Sequence, residues 1–307
     1  MAAFDLQSMN RLAAADPAAL IAQGDADYRR KVQQAAQAVA ARLKENPVVL
    51  LSGPSSSGKT TTAGKLAAQL EQTGVRTHTV SLDDYYLSRD TGNYPRTPDG
   101  QPDYESPLCL DIPLLNRHLE QLARGEEVLV PHFLFDRQIR DPEHVTPLRL
   151  GRDEAVIFEG IHALNDLFFH PEIHPEPTGI YISALSDLCC GDEVIIPHLL
   201  TRYLRRTVRD HNYRGTSALD TARMWANVRR GEQLYITPLK RRAHLCFDTS
   251  LIYELPVLRP LAEPLLATLP DEVPGVGSIT GLLAQLRRVQ PAEAGLVPQD
   301  SLLREFI

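Results

Sequence analysis

The chain has 307 residues, 43% of them hydrophobic and 23% charged, which is enough apolar material for one large α/β domain with appendages. Its formal net charge of -7 argues against broad, non-specific binding to nucleic acid, which requires a basic surface. The N-terminus lacks a basic start followed by an apolar core, and no stretch approaches the roughly 18 to 20 apolar residues of a membrane span, so we expect a cytoplasmic protein.

Helical and strand patterns alternate along the chain. Residues 1–46 are Ala-rich, and the helical spacing in 28–43 predicts a lead-in helix that ends before Asn46-Pro47. Short apolar runs predict buried strands, and amphipathic stretches predict helices between and after them. The strands are expected at 48–51, 77–82, 155–158 and 179–183, and the helices at 58–72, 112–124, 197–211, 219–230 and 279–289. This alternation predicts a doubly wound parallel sheet.

The same patterns suggest a division of the chain. We expect a helical lead-in over 1–46, a principal domain over 47–255, and a C-terminal appendage over 256–307, where prolines recur and the periodicity weakens. The stretch 88–107 is rich in Asp, Pro, Gly, Tyr and Asn. Because a structureless segment of this length inside a domain is more often a functional loop than a linker, we expect it to border the substrate.

The strongest motif follows the first predicted strand. Residues 53–60 are GPSSSGKT, which fits G-x-x-x-x-G-K-[ST] between an apolar strand and an amphipathic helix. In such a P-loop, backbone N–H groups bind phosphate oxygens, Lys59 reaches the β and γ phosphates, and the Thr60 hydroxyl binds Mg²⁺. The expected contacts to ATP are Gly53, Ser55, Ser56, Ser57, Gly58, Lys59, Thr60 and Thr61. A chance match in a Ser/Gly turn is the alternative, and nucleotide binding alone does not define a reaction.

Acidic residues follow two of the predicted strands. Asp83 and Asp84 come just after 77–82, at the strand end where ligands bind in open α/β sheets. We predict that Asp83 is the base that accepts the proton of an attacking hydroxyl, although both acids could merely cap a turn. Glu159 ends the strand 155–158, in the position of a Walker B acid that holds magnesium, whereas a lone acid here would ordinarily be solvated.

The predicted helix 197–211 is rich in arginine. Arg202, Arg205, Arg206 and Arg209 recur at spacings of three and four, which places them along one side of the helix as a cationic ridge. Residues 201–242 contain eleven Lys or Arg and three acids. Arginine forks suit a transferring phosphoryl group and Gly215 would act as a hinge, so we predict an Arg-rich helical lid over about 201–232. A solvated face and a nucleic-acid patch are the alternatives.

Histidine and tryptophan give weaker signals. His162, His170 and His174 have no tight ligand spacing such as H-E-x-x-H, so we predict no metal site among them. Trp225 is the only tryptophan, and the amphipathic helix 219–230 that carries it predicts a place in the core.

Four motifs together resemble a known family. GPSSSGKTTT, SLDDYY, VIFEGIH and RRTVRDHNYRG are similar in order and spacing to the uridine kinase and phosphoribulokinase family, over about residues 48–254. The end of the chain, including YELPVLRPLAEPLL and SLLREFI, resembles the uridine kinase-like part of bacterial proteins with a threonyl-tRNA-synthetase-like N-terminal region. The resemblance implies a P-loop NTPase-type fold and a kinase that uses ATP and Mg²⁺.

The resemblance also implies roles for individual residues. Asp83 would be the base and a magnesium-linked acid, Tyr86 would lie near the acceptor, and Glu159 would be the magnesium acid. Arg206, Arg209 and Arg214 would contact phosphates. Glu105 and Arg140 fall near positions that hold the nucleoside in uridine kinases, with Glu105 in place of the usual Asp.

Three positions depart from the uridine kinase pattern. In VPHFLFDRQIRD, Phe133 and Gln138 stand where uridine kinases use Tyr and His around the pyrimidine, and Thr216 replaces a lid arginine. A pocket that hydrogen-bonds one base rejects analogues strongly, so these changes leave the acceptor open.

The sequence therefore predicts an α/β P-loop kinase that phosphorylates a small-molecule hydroxyl, with uridine or cytidine as the leading acceptor. Asp83, Lys59, Arg209 and Arg214 are its expected catalytic residues. A kinase of another alcohol, such as a sugar phosphate, pantothenate or glycerate, is one alternative. A nucleotide-binding regulatory module or an NTPase that uses the basic helix on RNA is the other. We expect a small-molecule partner rather than nucleic acid or membrane, and a homo-oligomer is compatible with the sequence.

Overall fold

The computed structural model describes residues 3–89, 94–98, 100–168 and 176–307. The described helices are α1 (Leu6–Ala15), α2 (Pro17–Arg42), α3 (Lys59–Glu71), α4 (Ile112–Ala123), α5 (His198–Arg214), α6 (Ala218–Gly231), α7 (Glu254–Leu266) and α8 (Ile279–Leu286). The described strands are β1 (Ala3–Asp5), β2 (Val48–Ser52), β3 (Arg76–Ser81), β4 (Val128–Leu134), β5 (Ile139–Leu148), β6 (Glu154–Glu159), β7 (Thr178–Ser183), β8 (Asp187–Cys190), β9 (Glu193–Ile196), β10 (Leu245–Asp248), β11 (Glu272–Val273) and β12 (Gly277–Ser278).

A five-stranded parallel sheet forms the centre, in the order β10-β7-β2-β6-β3. All residues of β2 and β7 are buried, as expected for strands covered on both faces. Because side chains alternate across a strand, successive residues of β2 belong to two different core clusters. Val49 and Leu51 pack in one cluster with α2, α3 and α5. Val48 and Leu50 pack in the other cluster with α4 and β4. The sheet therefore has helices on both faces.

The central elements confirm the sequence prediction. β2, β3, β6 and β7 match the four predicted strands to within one residue at each end, and α3, α4, α5, α6 and α8 lie where helices were predicted. Trp225 is 0% exposed, which confirms its place in the core. The α/β fold with a doubly wound parallel sheet is thus the observed one.

Three elements were not expected from the local pattern. α7 contains Pro260 and Pro264, although the recurring prolines predicted weak periodicity from residue 256 onward. Burial of Val257, Leu258 and Leu266 in the core outweighs the cost of the two prolines. The antiparallel pair β4 and β5 was not predicted either, because prolines interrupt its alternation.

The terminal segments pack on the principal domain. Residues of α1, α2, α7 and α8 belong to the same core cluster as α3 and α5. The predicted boundary after residue 255 falls inside α7, and the division into three segments stays a prediction. Among the described residues, no helix is long and apolar enough to cross a membrane.

Candidate active site

The P-loop connects β2 to α3 and requires glycine at two points. A Cβ at Gly53 would lie 2.1 Å from the carbonyl oxygen of Ile182. Gly58 has a φ of 83°, in the left-handed region, and a Cβ there would lie 2.5 Å from Cδ1 of Leu302. The loop therefore approaches its neighbours too closely for any side chain at these positions.

A polar cavity of about 280 Å³ lies over the N-terminus of α3 and the carboxyl ends of β3 and β6. It gathers residues from all four sequence motifs. The predicted site residues that line it are Ser55, Ser56, Lys59, Thr60, Asp83, Tyr86, Glu105, Glu159, Arg206, Arg209 and Arg214. We call it the phosphate cavity, because P-loop residues and the cations Lys59, Arg206, Arg209 and Arg214 line it. Its lining also includes Glu305, which the sequence analysis did not single out.

Lys59 opens α3 and points into this cavity. Its Nζ donates a hydrogen bond to the carbonyl oxygen of Pro54 at 3.2 Å. Burial lowers the pKa of the ammonium, and the carboxylates of Glu159 and Asp83 oppose that shift. The lysine is thus a partly buried cation, which interacts more strongly with a phosphate anion than a fully exposed one would.

The strands β3 and β6 bring two carboxylates to the cavity. Ser81 pairs with Glu159 in the register of the sheet, and Asp83 follows in the 3-10 turn Leu82–Tyr85. The Thr60 hydroxyl donates to Oε1 of Glu159 at 3.1 Å. Burial raises the pKa of both Asp83 and Glu159, and the Lys59 ammonium opposes the rise in each case.

Asp84 has a different environment from Asp83. Its Oδ1 accepts a hydrogen bond from the backbone N–H of Phe133 at 3.1 Å, which ties the turn to β4. The Ser81 hydroxyl, not an acid, accepts the turn's N-terminal bond, from the N–H of Asp83 at 3.3 Å. The turn-capping interpretation therefore fits neither acid, and Asp83 faces the cavity.

Three arginines of α5 surround one buried aspartate. Asp210 is 1% exposed and receives Arg206 at 3.2 Å, Arg209 at 2.7 Å and Arg214 at 3.6 Å. Arg206 also donates to the Ser55 hydroxyl at 2.7 Å. One carboxylate thus holds three cations at the phosphate cavity, a role of Asp210 that was not predicted from the sequence.

The expected cationic ridge is wrong for Arg202 and Arg205, which are 1% and 0% exposed. Arg202 forms two bonds to Glu232, at 2.8 and 3.0 Å, and donates to the carbonyl oxygen of Ser55 at 3.1 Å. Arg205 pairs with Glu254 at 2.6 Å and contacts the carbonyl oxygen of Ser56 at 3.4 Å. Buried partners neutralise these two cations, so they support the P-loop backbone instead of facing a ligand.

An aromatic pocket of about 200 Å³ adjoins the phosphate cavity. The two share Asp83, Tyr86 and Tyr104. The pocket lining consists of Asp83, Tyr86, Arg89, Tyr94, Tyr104, Phe133, Phe135 and Gln138. The predicted acceptor residues Tyr86, Phe133 and Gln138 therefore lie together, on the turn after β3 and on the β4–β5 hairpin.

Two predicted acceptor residues lie elsewhere. Arg140 is absent from the described lining of both cavities, because its guanidinium pairs with Asp111 at 3.0 Å and donates to the carbonyl oxygen of Tyr85 at 3.3 Å. Glu105 lines the phosphate cavity instead of the aromatic pocket, and burial raises its pKa to about 7 against the lowering effect of Arg206.

Of the three histidines named above, only His162 lies among the described residues. His162 is 1% exposed, and burial lowers its pKa to about 3, so it is neutral at pH 7. His170 and His174 lie outside the described residues. Within the described ranges, no group of three or more His, Cys, Asp or Glu side chains could hold a metal ion.

The oxygen donors of the cavity nevertheless fit magnesium bound together with a nucleotide. The Thr60 hydroxyl and the Glu159 carboxylate are in contact, and Asp83 lines the same space. Magnesium in phosphoryl-transfer sites takes one or two carboxylates together with phosphate oxygens and water. The donor set therefore suits a metal that needs the nucleotide to complete its coordination.

Comparison with known proteins identifies the family. The profile described as "Phosphoribulokinase / Uridine kinase family" matches residues 48–252. The chain belongs to this family. The predicted resemblance is thereby confirmed, and the chain is a phosphotransferase that acts on an alcohol group of a small molecule.

Individual proteins are similar to this chain. The chain is 30% identical over 209 residues to the uridine kinase of Oceanobacillus iheyensis, covering 66% of this chain and 86% of that one. It is 27% identical over 197 residues to the uridine kinase of Deinococcus deserti, covering 64% and 84%. The solved structure of a possible uridine kinase from Bacillus stearothermophilus is similar with a TM-score of 0.47 and 18% identity, covering 72% of this chain and 100% of that one.

Proposed function

We propose that this phosphotransferase uses ATP and Mg²⁺ to phosphorylate the 5′-hydroxyl of a nucleoside, with uridine and cytidine as the leading acceptors. The observation that carries the proposal is the aromatic pocket, which meets the phosphate cavity at Asp83 and Tyr86. An acceptor in the pocket would place its hydroxyl beside Asp83. The relatives of this chain from Oceanobacillus and Deinococcus, which carry the name uridine kinase, support the same acceptor class.

The chemistry of the pocket favours a flat ring over a small anion. The rings of Tyr86 and Phe133 lie 5.7 Å apart, and those of Phe133 and Phe135 lie 5.1 Å apart. Arg89 is the only Lys or Arg among the described lining residues; it donates to Gln138 and lies 5.8 Å from the Tyr104 ring centroid. A nucleobase gains from these aromatic contacts, whereas the charged group of a sugar phosphate, glycerate or pantothenate finds only Arg89 as a cation in this described lining.

The chain's own groups suffice for positioning and proton transfer. In this proposal the P-loop amides and Lys59 bind the phosphates, and Arg206, Arg209 and Arg214 stabilise charge on the transferring group. Asp83 accepts the proton of the acceptor hydroxyl, and its raised pKa makes it a stronger base than an exposed carboxylate. Thr60 and Glu159 would hold magnesium, which neutralises charge on the phosphate oxygens.

The test is ADP release from ATP and Mg²⁺ with a panel of acceptors. The panel contains uridine, cytidine, other nucleosides, a sugar phosphate, pantothenate and glycerate. We expect turnover with a pyrimidine nucleoside, and in Asp83→Asn a loss of kcat of about 10²- to 10⁴-fold because the base is removed. Asp136→Asn is the matched control, since Asp136 is exposed near the tip of the β4–β5 hairpin and should leave kcat unchanged.

Other outcomes have distinct meanings. Turnover only with glycerate, pantothenate or a sugar phosphate would support the kinase activity but refute a nucleoside as the acceptor. ADP release at the same rate with every acceptor, and at the same rate in Asp83→Asn, would refute Asp83 as the base and favour an NTPase.

A further inference from the structure

Residues 297–307 form part of the wall around the P-loop. Leu302, Leu303 and Phe306 are each 0% exposed. Leu302 fills the space that a side chain at Gly58 would need, and the guanidinium of Arg205 lies 5.0 Å from the ring centroid of Phe306. The segment thus has a fixed position beside the loop, set by three core side chains.

This fixed position places the carboxylate of Glu305 at the first turn of α3. Its Oε2 accepts a hydrogen bond from the Thr61 hydroxyl at 2.6 Å and a longer one from the Thr61 backbone N–H at 3.4 Å. The same side chain lines the phosphate cavity with Lys59 and Arg214. An anion from the chain itself therefore occupies donors at the N-terminus of the P-loop helix.

Those donors are of the kind that binds nucleotide phosphate. A P-loop binds phosphate oxygens through backbone N–H groups and hydroxyls where its helix begins, and the helix dipole favours a negative charge there. The described lining of the cavity contains four cations (Lys59, Arg206, Arg209, Arg214) and four acids (Asp83, Glu105, Glu159, Glu305). A polyphosphate that enters this cavity has the same sign of charge as Glu305. Both would accept a hydrogen bond from the same donor, Thr61.

We propose that Glu305 competes with nucleotide phosphate for Thr61 and so sets the nucleotide affinity of the enzyme. This inference rests on the proposed function, because it requires a nucleotide at the P-loop. Binding of the phosphate displaces only the Glu305 side chain, while Leu302, Leu303 and Phe306 keep the backbone in place. The displaced carboxylate loses a charged hydrogen bond, and this loss weakens the binding of the nucleotide.

The test measures binding without turnover. ADP with Mg²⁺ is titrated into wild-type protein, Glu305→Gln and Asp300→Asn by isothermal calorimetry, with no acceptor present. We expect Glu305→Gln to bind ADP about three- to tenfold more tightly, because a neutral amide gives up Thr61 more readily than a carboxylate. Asp300→Asn removes one charge from the same segment at a side chain that is 70% exposed, and we expect unchanged affinity.

A second variant separates competition from a general change in charge. Thr61→Val removes the shared hydroxyl, so the gain from Glu305→Gln should shrink in that background. A thermal melt of each variant checks that the fold is intact. Equal or weaker ADP binding by Glu305→Gln, or an undiminished gain with Thr61→Val, would overturn the role of Glu305. Absence of ADP binding in both wild type and Glu305→Gln would overturn the nucleotide site and this inference together.

Discussion

Asp83 and Asp84 show how strongly surroundings decide the role of a residue. They are adjacent and chemically identical, yet Asp84 binds a backbone N–H of β4 while Asp83 lines both cavities. The sequence predicted the strand end and named Asp83 of the acidic pair as the base, but a local pattern does not show why Asp83 and not Asp84 points inward. That choice depends on β4, which lies more than forty residues away in the chain.

Glu105 gives a prediction at the scale of a single residue. Burial raises its pKa from 4.5 to about 7 in the folded protein. The folded state therefore binds a proton more tightly than the unfolded chain, so stability falls as pH rises from about 4.5 to 7 and stays reduced above that range. Glu105→Gln should remove this penalty, which is at most about 3 kcal/mol at pH 8 and vanishes below pH ~4.

The measurement is the urea midpoint of both proteins between pH 4 and 8. Glu293→Gln is the control, because Glu293 is exposed and its replacement should not change the pH profile relative to wild type. If the stability of the wild type rises from pH 5 to 7 by as much as the stability of Glu105→Gln, the buried, proton-binding state of Glu105 is contradicted.

At the scale of elements, α5 supports the P-loop as well as lining the cavity. Arg202 and Arg205 each reach a P-loop carbonyl oxygen, and their charges are matched by Glu232 and Glu254. Arg206, Arg209 and Arg214 extend from the same helix to the cavity. The spacing of three and four between the arginines correctly predicted that they lie along one side of a helix. It could not show that Arg202 and Arg205, on the same side, are buried against the P-loop.

The buried pair of Arg205 and Glu254 should be essential for stability. Arg205 is 0% exposed, so Glu254→Gln leaves a desolvated cation without its partner, and we expect a loss of about 3 to 5 kcal/mol in the free energy of unfolding. Glu263→Gln is the control on the same helix, where the pair with Arg287 is partly exposed and should contribute at most about 1 kcal/mol. Urea unfolding of both variants gives the comparison, and equal losses would refute the buried-pair argument.

The predictable elements are those with a continuous local signal. β2, β6 and β7 are apolar runs in a fully covered sheet, and α3 follows a motif whose glycines mark its start. The missed elements depend on distant contacts instead. α7 is helical despite two internal prolines because the core buries it, and Glu305 reaches the site only through the packing of its neighbours. The sequence thus predicted the P-loop half of the site better than the groups that surround it.

At the scale of the whole molecule, one buried network links three distant parts of the chain. The hydroxyl of Tyr253, just before α7, donates to Asp25 of α2 at 2.5 Å and lies 2.6 Å from the Ser301 hydroxyl. Ser301 also donates to Asp25 at 3.1 Å. Residues of α2 and Ser301 of the C-terminal segment are therefore connected through Tyr253.

Tyr253→Phe tests this link. The change removes the hydroxyl but keeps the ring, so Asp25, which is 5% exposed, loses a hydrogen bond in a buried place. We expect a loss of about 1 to 3 kcal/mol in the free energy of unfolding, measured from the urea midpoint. Tyr213→Phe serves as the control, since Tyr213 is 61% exposed and its hydroxyl donates to the carbonyl oxygen of Ile307 at the surface, so its effect should stay below about 0.5 kcal/mol. A Tyr253→Phe protein as stable as the control would mean that water or another group replaces the hydroxyl.

The packing of Leu302 on Gly58 has a consequence for the synthesis of the chain. Thr61 and Glu305 are 244 residues apart, so at about 5 to 20 residues per second a ribosome adds Glu305 roughly 12 to 50 seconds after Thr61. Throughout this interval the loop lacks the side chain that fills the space beside Gly58. A growing chain therefore carries its P-loop sequence early, but the wall around the loop closes only when this late segment has been made.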